Sequence, residues 1–365
     1  MNEKKLGFGM MRLPRRGMSI DIAETSEMVD LFLDAGMTYF DTAFIYPGSE
    51  KAVRKALVER HQRDSYTIAT KLMASAVPTE GMAKKELETS LKRLGTDYVD
   101  YYLLHSLMSS NYQKYEKFHL WDFVKEQKEK GVIRHIGFSF HDGPELLEEI
   151  LAAHPEAEFV QLQINYADWE NPDVQSRAVY ETARKFGKPV VIMEPIKGGK
   201  LADPPFEVKK LMQEESPYMS PASWAIRFAA SLDGVRAVLS GMSAVEQMKD
   251  NLSYMKDFVP LNESEQKVIR KAQAIMGQSK SIPCTACGYC AKGCPMQIPI
   301  PEIFAAMNKR IDQGRIEEAK ADYANILKKG NGADVCIECG QCEAACPQHI
   351  AIIEQLKKCR EGLSG

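Results

Sequence analysis

Eight short apolar runs, each followed by an amphipathic segment, occupy residues 6 to 255 of this 365-residue chain. The runs are "LGFGMMRL", "TYFDTA", "YTIATKL", "YVDYYLLHS", "IRHIGFSF", "FVQLQIN", "PVVIMEP" and "VRAVLSGM". They are almost continuously apolar, as strands are when a parallel sheet is covered on both faces. The segments between them, such as "DIAETSEMVDLFLDAG" and "DVQSRAVYETARKFG", carry helical periodicity and end on Gly just before the next run. Eight strand–helix units in about 250 residues predict a (β/α)8 barrel, with a doubly wound open sheet as the main rival.

The character changes near residue 258. "SEQKVIRKAQAIMG" reads as a helix, and "PEIFAAMNKRIDQGRIEEAKADYANILKKG" as two helices broken at Gly314. We therefore expect a barrel over 1–258 and a smaller, mainly helical domain over 259–365. Of nine cysteines, none lies in residues 1–283, and eight fall in two copies of C-x2-C-x2-C-x3-C-P, "CTACGYCAKGCP" and "CIECGQCEAACP". A secreted, disulfide-stapled protein does not segregate its cysteines in this way. The formal charge is −3, with Lys and Arg spread along the chain. That balance speaks against nucleic acid or an anionic membrane as the main partner. With no apolar h-region at the start and no apolar run of membrane-spanning length, the expected location is the cytoplasm.

The repeated cysteine run has the spacing of bacterial ferredoxins, in which the fourth Cys ligates the other cluster. It predicts two 4Fe–4S clusters with crossed ligands. One takes Cys284, Cys287, Cys290 and Cys346; the other takes Cys336, Cys339, Cys342 and Cys294. Zinc bound by C-x2-C pairs is the plain alternative. Cys359 fits neither run and reads as an ordinary thiol. The long helical linker makes the tail resemble the α-helical ferredoxins, which implies electron transfer, with a purely structural cluster pair as the other reading.

Four polar residues stand at or just past successive strand ends, where a barrel builds its active site: Asp41, Tyr46, Lys71 and His105. Taken singly, each has a bland reading, as a Lys–Asp structural pair or a hydrogen-bonded core His. Taken together they point to a site. "DTAFIYPGSE", "ATKL" and "YYLLH" resemble the aldo-keto reductase family over about residues 6–255. That resemblance implies reduction of a small-molecule carbonyl to an alcohol with hydride from NAD(P)H. Tyr46 is expected to be the general acid, with Lys71 lowering its pKa, Asp41 orienting Lys71, and His105 donating to the substrate oxygen.

By position, Ser139 and Gln163 match the family's contacts to the nicotinamide carboxamide. Met193 stands where an aromatic usually stacks, and Phe140 where Asn is common. Ser240, Gly241, Ser243, Gln247 and Asn251 keep the pattern after strand eight, in a loop entering a helix N-terminus that favours a phosphate. The usual basic clamp for a 2′-phosphate is missing. "IKGGK", residues 196–200, is a second Gly-rich loop, read either as a phosphate cradle or as an ordinary loop.

A hydride is two electrons, whereas a 4Fe–4S centre passes one at a time, and a flavin converts between them. FMN in the barrel, exchanging electrons with a redox partner protein through the clusters, is therefore an alternative. A non-catalytic, redox-responsive interaction protein is a second. Tyr112, Phe118, Trp121 and Trp169 are candidates either to line an apolar substrate pocket or to pack the loops down.

Overall fold

A computed structural model describes residues 4–364. Eight parallel strands close into a barrel: β1 Leu6–Gly9, β2 Tyr39–Asp41, β3 Thr67–Leu72, β4 Val99–Leu107, β5 Ile133–Phe140, β6 Phe159–Gln163, β7 Val190–Met193 and β8 Val235–Ser240. β1 pairs with both β2 and β8, so no edge is left open, and the open-sheet alternative falls. A helix follows each strand: α1 Ile22–Asp34, α2 Ser49–Val53, α3 Glu80–Leu94, α4 Leu120–Glu129, α5 Pro144–Ala153, α6 Ser176–Lys185, α7 Pro221–Ala230 and α8 Val245–Met255.

Local chemistry sets the boundaries. Asp21 caps α1 by accepting from the amides of Ala23 and Glu24, and Thr79 caps α3 through Met82. α3 stops at Gly95, whose φ of 73° a β-carbon would strain. Inside the barrel, Tyr39, Tyr101, Leu103, Phe159, Val191 and Leu239 form a packed plug. No helix among the described residues is long and apolar enough to cross a membrane.

The next helix, α9 (Glu263–Met276), begins with a capping box between Asn262 and Glu265. Leu261, Val268, Ile269 and Ala272 pack against Tyr166, Leu201 and Trp224 of the barrel. Glu265 accepts from both terminal nitrogens of Arg227 at 2.6 and 3.0 Å, and both side chains are buried. This helix therefore shares the barrel's core and not the tail's, and we place the division at residues 277–282, later than the expected 258/259. Beyond it, α10 (Ile300–Gln313), α11 (Ile316–Leu327) and α12 (Ile352–Leu363) enclose a separate core that includes Ile303, Phe304, Tyr323 and Leu356. Gly314 breaks α10 from α11 with a φ of 65°, at the expected place.

The loop after β3 is pinned by a buried carboxylate: Glu86 of α3 accepts from the Met73 amide at 2.8 Å. Burial pushes this carboxyl up to about 7, from an ordinary value of 4.5. The folded chain then keeps a proton that the unfolded chain has shed, so Glu86 opposes folding increasingly as pH rises from 4.5 to 7. Glu86→Gln, which keeps an acceptor for Met73, is expected to raise the melting temperature at pH 8, by at most about 3 kcal/mol of stability. At pH 4.5 it should change little, and thermal melts at the two pH values check the sign.

Candidate active site

Asp41 ends β2, Lys71 lies one residue before the end of β3, and His105 lies near the end of β4. Lys71 has no exposed surface, which an ammonium tolerates only with partners. Its Nζ donates to Asp41 Oδ1 at 2.5 Å and to the Thr42 carbonyl at 2.7 Å. Burial pulls Lys71 down and Asp41 up, towards neutrality, and the attraction between them opposes it. Tyr46 follows in the loop after β2, its ring centroid 5.3 Å from Lys71 Nζ and 5.8 Å from the His105 ring. The structure thus brings all four residues to the C-terminal mouth of the barrel.

His105 is aimed by a break in β4. The β4–β5 register shifts between Leu104 and Leu107, and Ser106 takes a φ of 59°, an uncommon conformation for a non-glycine residue. Ser139 Oγ accepts from the Ser106 amide at 2.7 Å, Asn111 donates to the Ser106 carbonyl, and Tyr115 donates to the His105 carbonyl. Burial, then Lys71, His141 and Lys292, hold the His105 imidazole well below its ordinary pKa, so it is neutral at pH 7. Tyr46 is pushed well above 10 by burial, then by Tyr289, Asp41 and Glu194. This corrects the expectation that Lys71 lowers the phenol: the ammonium is close, but desolvation of the phenolate dominates.

Asp41, Tyr46 and His105 form part of the wall of a cavity of about 520 Å³, and Lys71 lies buried behind Asp41. Gln163, Met193, Ser240, Gly241, Ser243, Gln247 and Asn251 also line it. Ser139 does not. It is fully buried and spent on Ser106, because the break after His105 swings that amide over it. Gln163 lines the cavity but donates to Asp168, and exchanges hydrogen bonds with Gln348, just after the second cysteine run, at 2.8 and 3.2 Å. The Gln247 side chain accepts from the Ser243 amide at 2.8 Å, at the entry to α8. Asp41 Oδ2, His105 Nδ1, His141 Nδ1, Gln161 Oε1 and Asn251 Oδ1 are buried in this wall without a protein partner, a set that suits a polar ligand.

Tyr112, Phe118 and Trp121 are packed in the barrel core, because the loop after β4 folds into a helix of its own, Tyr112–Lys117, ahead of α4. Trp169 packs against Tyr180 and Phe228. None of the four lines the cavity.

Its remaining wall comes from the tail, which the sequence did not place there. Cys287, Tyr289, Pro347 and Gln348 face the same space as Tyr46 and His105. The "IKGGK" loop makes this docking possible. Gly198 has a φ of 64°, and a β-carbon on it would lie 2.6 Å from the Thr285 carbonyl oxygen. Arg12 donates to that carbonyl at 2.8 Å, Lys200 donates to the Ile282 carbonyl at 2.9 Å, and Ser110 to the Ala344 carbonyl at 3.0 Å. Lys197 is buried against Asp168. His141, Glu194 and Arg12 are further wall residues that sequence reasoning missed.

The eight cysteines of the two runs divide between two small cavities. Cys284, Cys287, Cys290 and Cys346 line one, walled by Phe304, Ile350 and Ile352. Cys294, Cys336, Cys339 and Cys342 line the other, walled by Ile298, Ile300 and Leu356. The two runs have the same backbone: Ala286 and Gly288 in the first and Glu338 and Gly340 in the second take positive φ, as do Gln297 and His349, each three residues past the last cysteine of its run. Such residues turn amides inward, and the Ala286 amide donates to Cys284 Sγ at 3.4 Å. Four thiols, inward amides and apolar walls fit a 4Fe–4S cluster in each cavity. Cys359 is buried in the helical core, its thiol pushed up to about 12 by desolvation.

Comparison with known proteins accords with this division. The model of the aldo/keto reductase family matches residues 5–274, and that of the 4Fe-4S dicluster domain matches residues 283–351. The aldo-keto reductase str7 of Strobilurus tenacellus is 30% identical over 210 residues, 54% of this chain and 59% of that protein. This chain therefore aligns with less than two thirds of that relative's length. An aldo-keto reductase of Mycolicibacterium vanbaalenii is 29% identical over 63% of this chain and 77% of its own. Among solved structures, an aldo-keto reductase from Bacillus halodurans has a TM-score of 0.59 at 26% identity, covering 73% of this chain and 91% of that one.

The crossed cavities give a direct expectation. Cys346→Ser should cost the cluster held by Cys284, Cys287 and Cys290, although it lies more than fifty residues away in sequence. Iron analysis should then find roughly half the wild-type content.

Proposed function

The chain belongs to the aldo/keto reductase family and is an oxidoreductase, and from that premise we propose that its cavity interconverts a small carbonyl and its alcohol with Tyr46 as the proton donor. The observation that carries this reading is the approach of the Tyr46 ring to a neutral His105 beside the buried Lys71–Asp41 pair. A nicotinamide, when bound, supplies the hydride to the carbonyl carbon. Tyr46 gives its proton to the carbonyl oxygen, and His105, donating as a neutral imidazole, orients that oxygen. The Lys71 ammonium steadies the phenolate left on Tyr46, and Asp41 keeps Lys71 charged and in place. Gln163 and Met193 would border the reacting end of the dinucleotide, and Ser240, Gly241, Ser243, Gln247 and Asn251 its phosphate end, at the N-terminus of α8.

We assign Cys284, Cys287, Cys290 and Cys346 to one cluster and Cys336, Cys339, Cys342 and Cys294 to the other. Cys287 borders both its cluster cavity and the barrel cavity, which supports electrical coupling between them and exchange with a redox partner protein. A second reading, FMN in the barrel, is favoured by one observation. Ser139 and Gln163, the expected carboxamide contacts, are engaged by Ser106 and Gln348.

Tyr46→Phe should lower NAD(P)H-dependent carbonyl reduction by about 10²–10⁴-fold with the fold intact. Full turnover in that variant would overturn the assignment. Flavin released into the supernatant of heat-treated protein, without nicotinamide-dependent turnover, would favour the second reading.

A further inference from the structure

Tyr289 is the one residue of the cysteine runs whose side chain reaches the catalytic pair. Its hydroxyl lies 3.4 Å from His105 Nε2, with the two rings nearly perpendicular and 6.3 Å apart. Tyr289 and Tyr46 line the same cavity beside His105. A phenol oxygen within reach of His105 Nε2, in the cavity that Tyr46 also lines, stands beside the place where a substrate carbonyl oxygen would be held by those two residues.

We propose that Tyr289 is a specificity-determining residue of this active site, its phenol oxygen filling the substrate-oxygen position until a carbonyl displaces it. The proposal rests on the reading of Tyr46 and His105 as the groups that hold that oxygen. The backbone on either side of Tyr289 is pinned. Thr285 is held by Arg12 and sits against Gly198, Gly288 has a φ of 78°, and Cys287 and Cys290 of the first cysteine cavity flank the tyrosine. The phenol therefore cannot drift away with a loose loop; an incoming oxygen has to push the ring aside against an anchored main chain. Such a site favours carbonyls with one narrow side, aldehydes over ketones with two bulky arms. Cys287 and Cys290 also make the ring's position a property of the folded cysteine cavity, so the tail shapes the substrate pocket directly.

Acetate is a suitable probe, since a carboxylate oxygen accepts from both groups near the Lys71 ammonium and needs no turnover. Calorimetric titration should be made on iron-loaded wild type, Tyr289→Ala and Tyr289→Phe, with iron content measured on each sample. Removing the competing phenol should tighten acetate binding about tenfold in Tyr289→Ala, the worth of one hydrogen bond no longer displaced. Tyr289→Phe keeps the ring and loses only the oxygen, so its gain should be smaller, about threefold. If Tyr289→Ala does not hold iron, Tyr289→Phe decides by itself. Unchanged or weaker acetate binding in iron-loaded variants overturns the proposal. If acetate binding tightens but no carbonyl is turned over by any of the three proteins, the placement of Tyr289 stands and the carbonyl reading falls.

Discussion

A lysine ammonium with no exposed surface, 2.5 Å from a buried carboxylate, is the interaction around which this active site is arranged. Desolvating two charges is costly, and only close geometry with further hydrogen bonds offsets it. The barrel supplies that geometry through register. β2 and β3 pair Asp41 with Ala69, two residues before Lys71, and the Thr42 carbonyl gives the ammonium a second acceptor. Closing the sheet through β1, β2 and β8 fixes those strand ends relative to one another. Tyr46 and His105 then take their places around a charge that cannot move.

The second constraint is the tail docked on the mouth. Backbone carbonyls of the first cysteine run and its lead-in are held by Arg12 and Lys200, and Gln348, just after the second run, pairs with Gln163. Gly198 lets the two main chains meet where any side chain would separate them. One cavity is therefore walled by two domains, with Cys287 of a cluster cavity on the same surface as Tyr46 and His105. In such an arrangement a group in the barrel and a group in the tail sense each other through a few side chains.

Much of this was legible in the sequence because it rests on local pattern. Buried parallel strands read as continuous apolar runs, glycines such as Gly95 end helices at predictable places, and strand-end position singles out Asp41, Lys71 and His105. The duplicated cysteine run likewise encodes the same backbone twice. What was not legible depends on long-range fit. Ser139 left the cavity because the main chain breaks at Ser106, a strain with no sequence signature. α9 was assigned to the wrong body because an amphipathic helix does not declare which core it covers. Tyr289 looks like a spacer between cysteines and Gln348 like a residue trailing the second run, and only the docking of the tail turns them towards His105 and Gln163.

The central claim is that the barrel cavity and the cluster cavity of Cys284, Cys287, Cys290 and Cys346 form one site. Electron paramagnetic resonance of the reduced, iron-loaded protein, with and without saturating acetate, tests it most directly. Acetate is expected to shift the signal of one cluster, the one that Cys346→Ser abolishes, and to leave the other unchanged. Signals from both clusters that ignore acetate shown to be bound would contradict it.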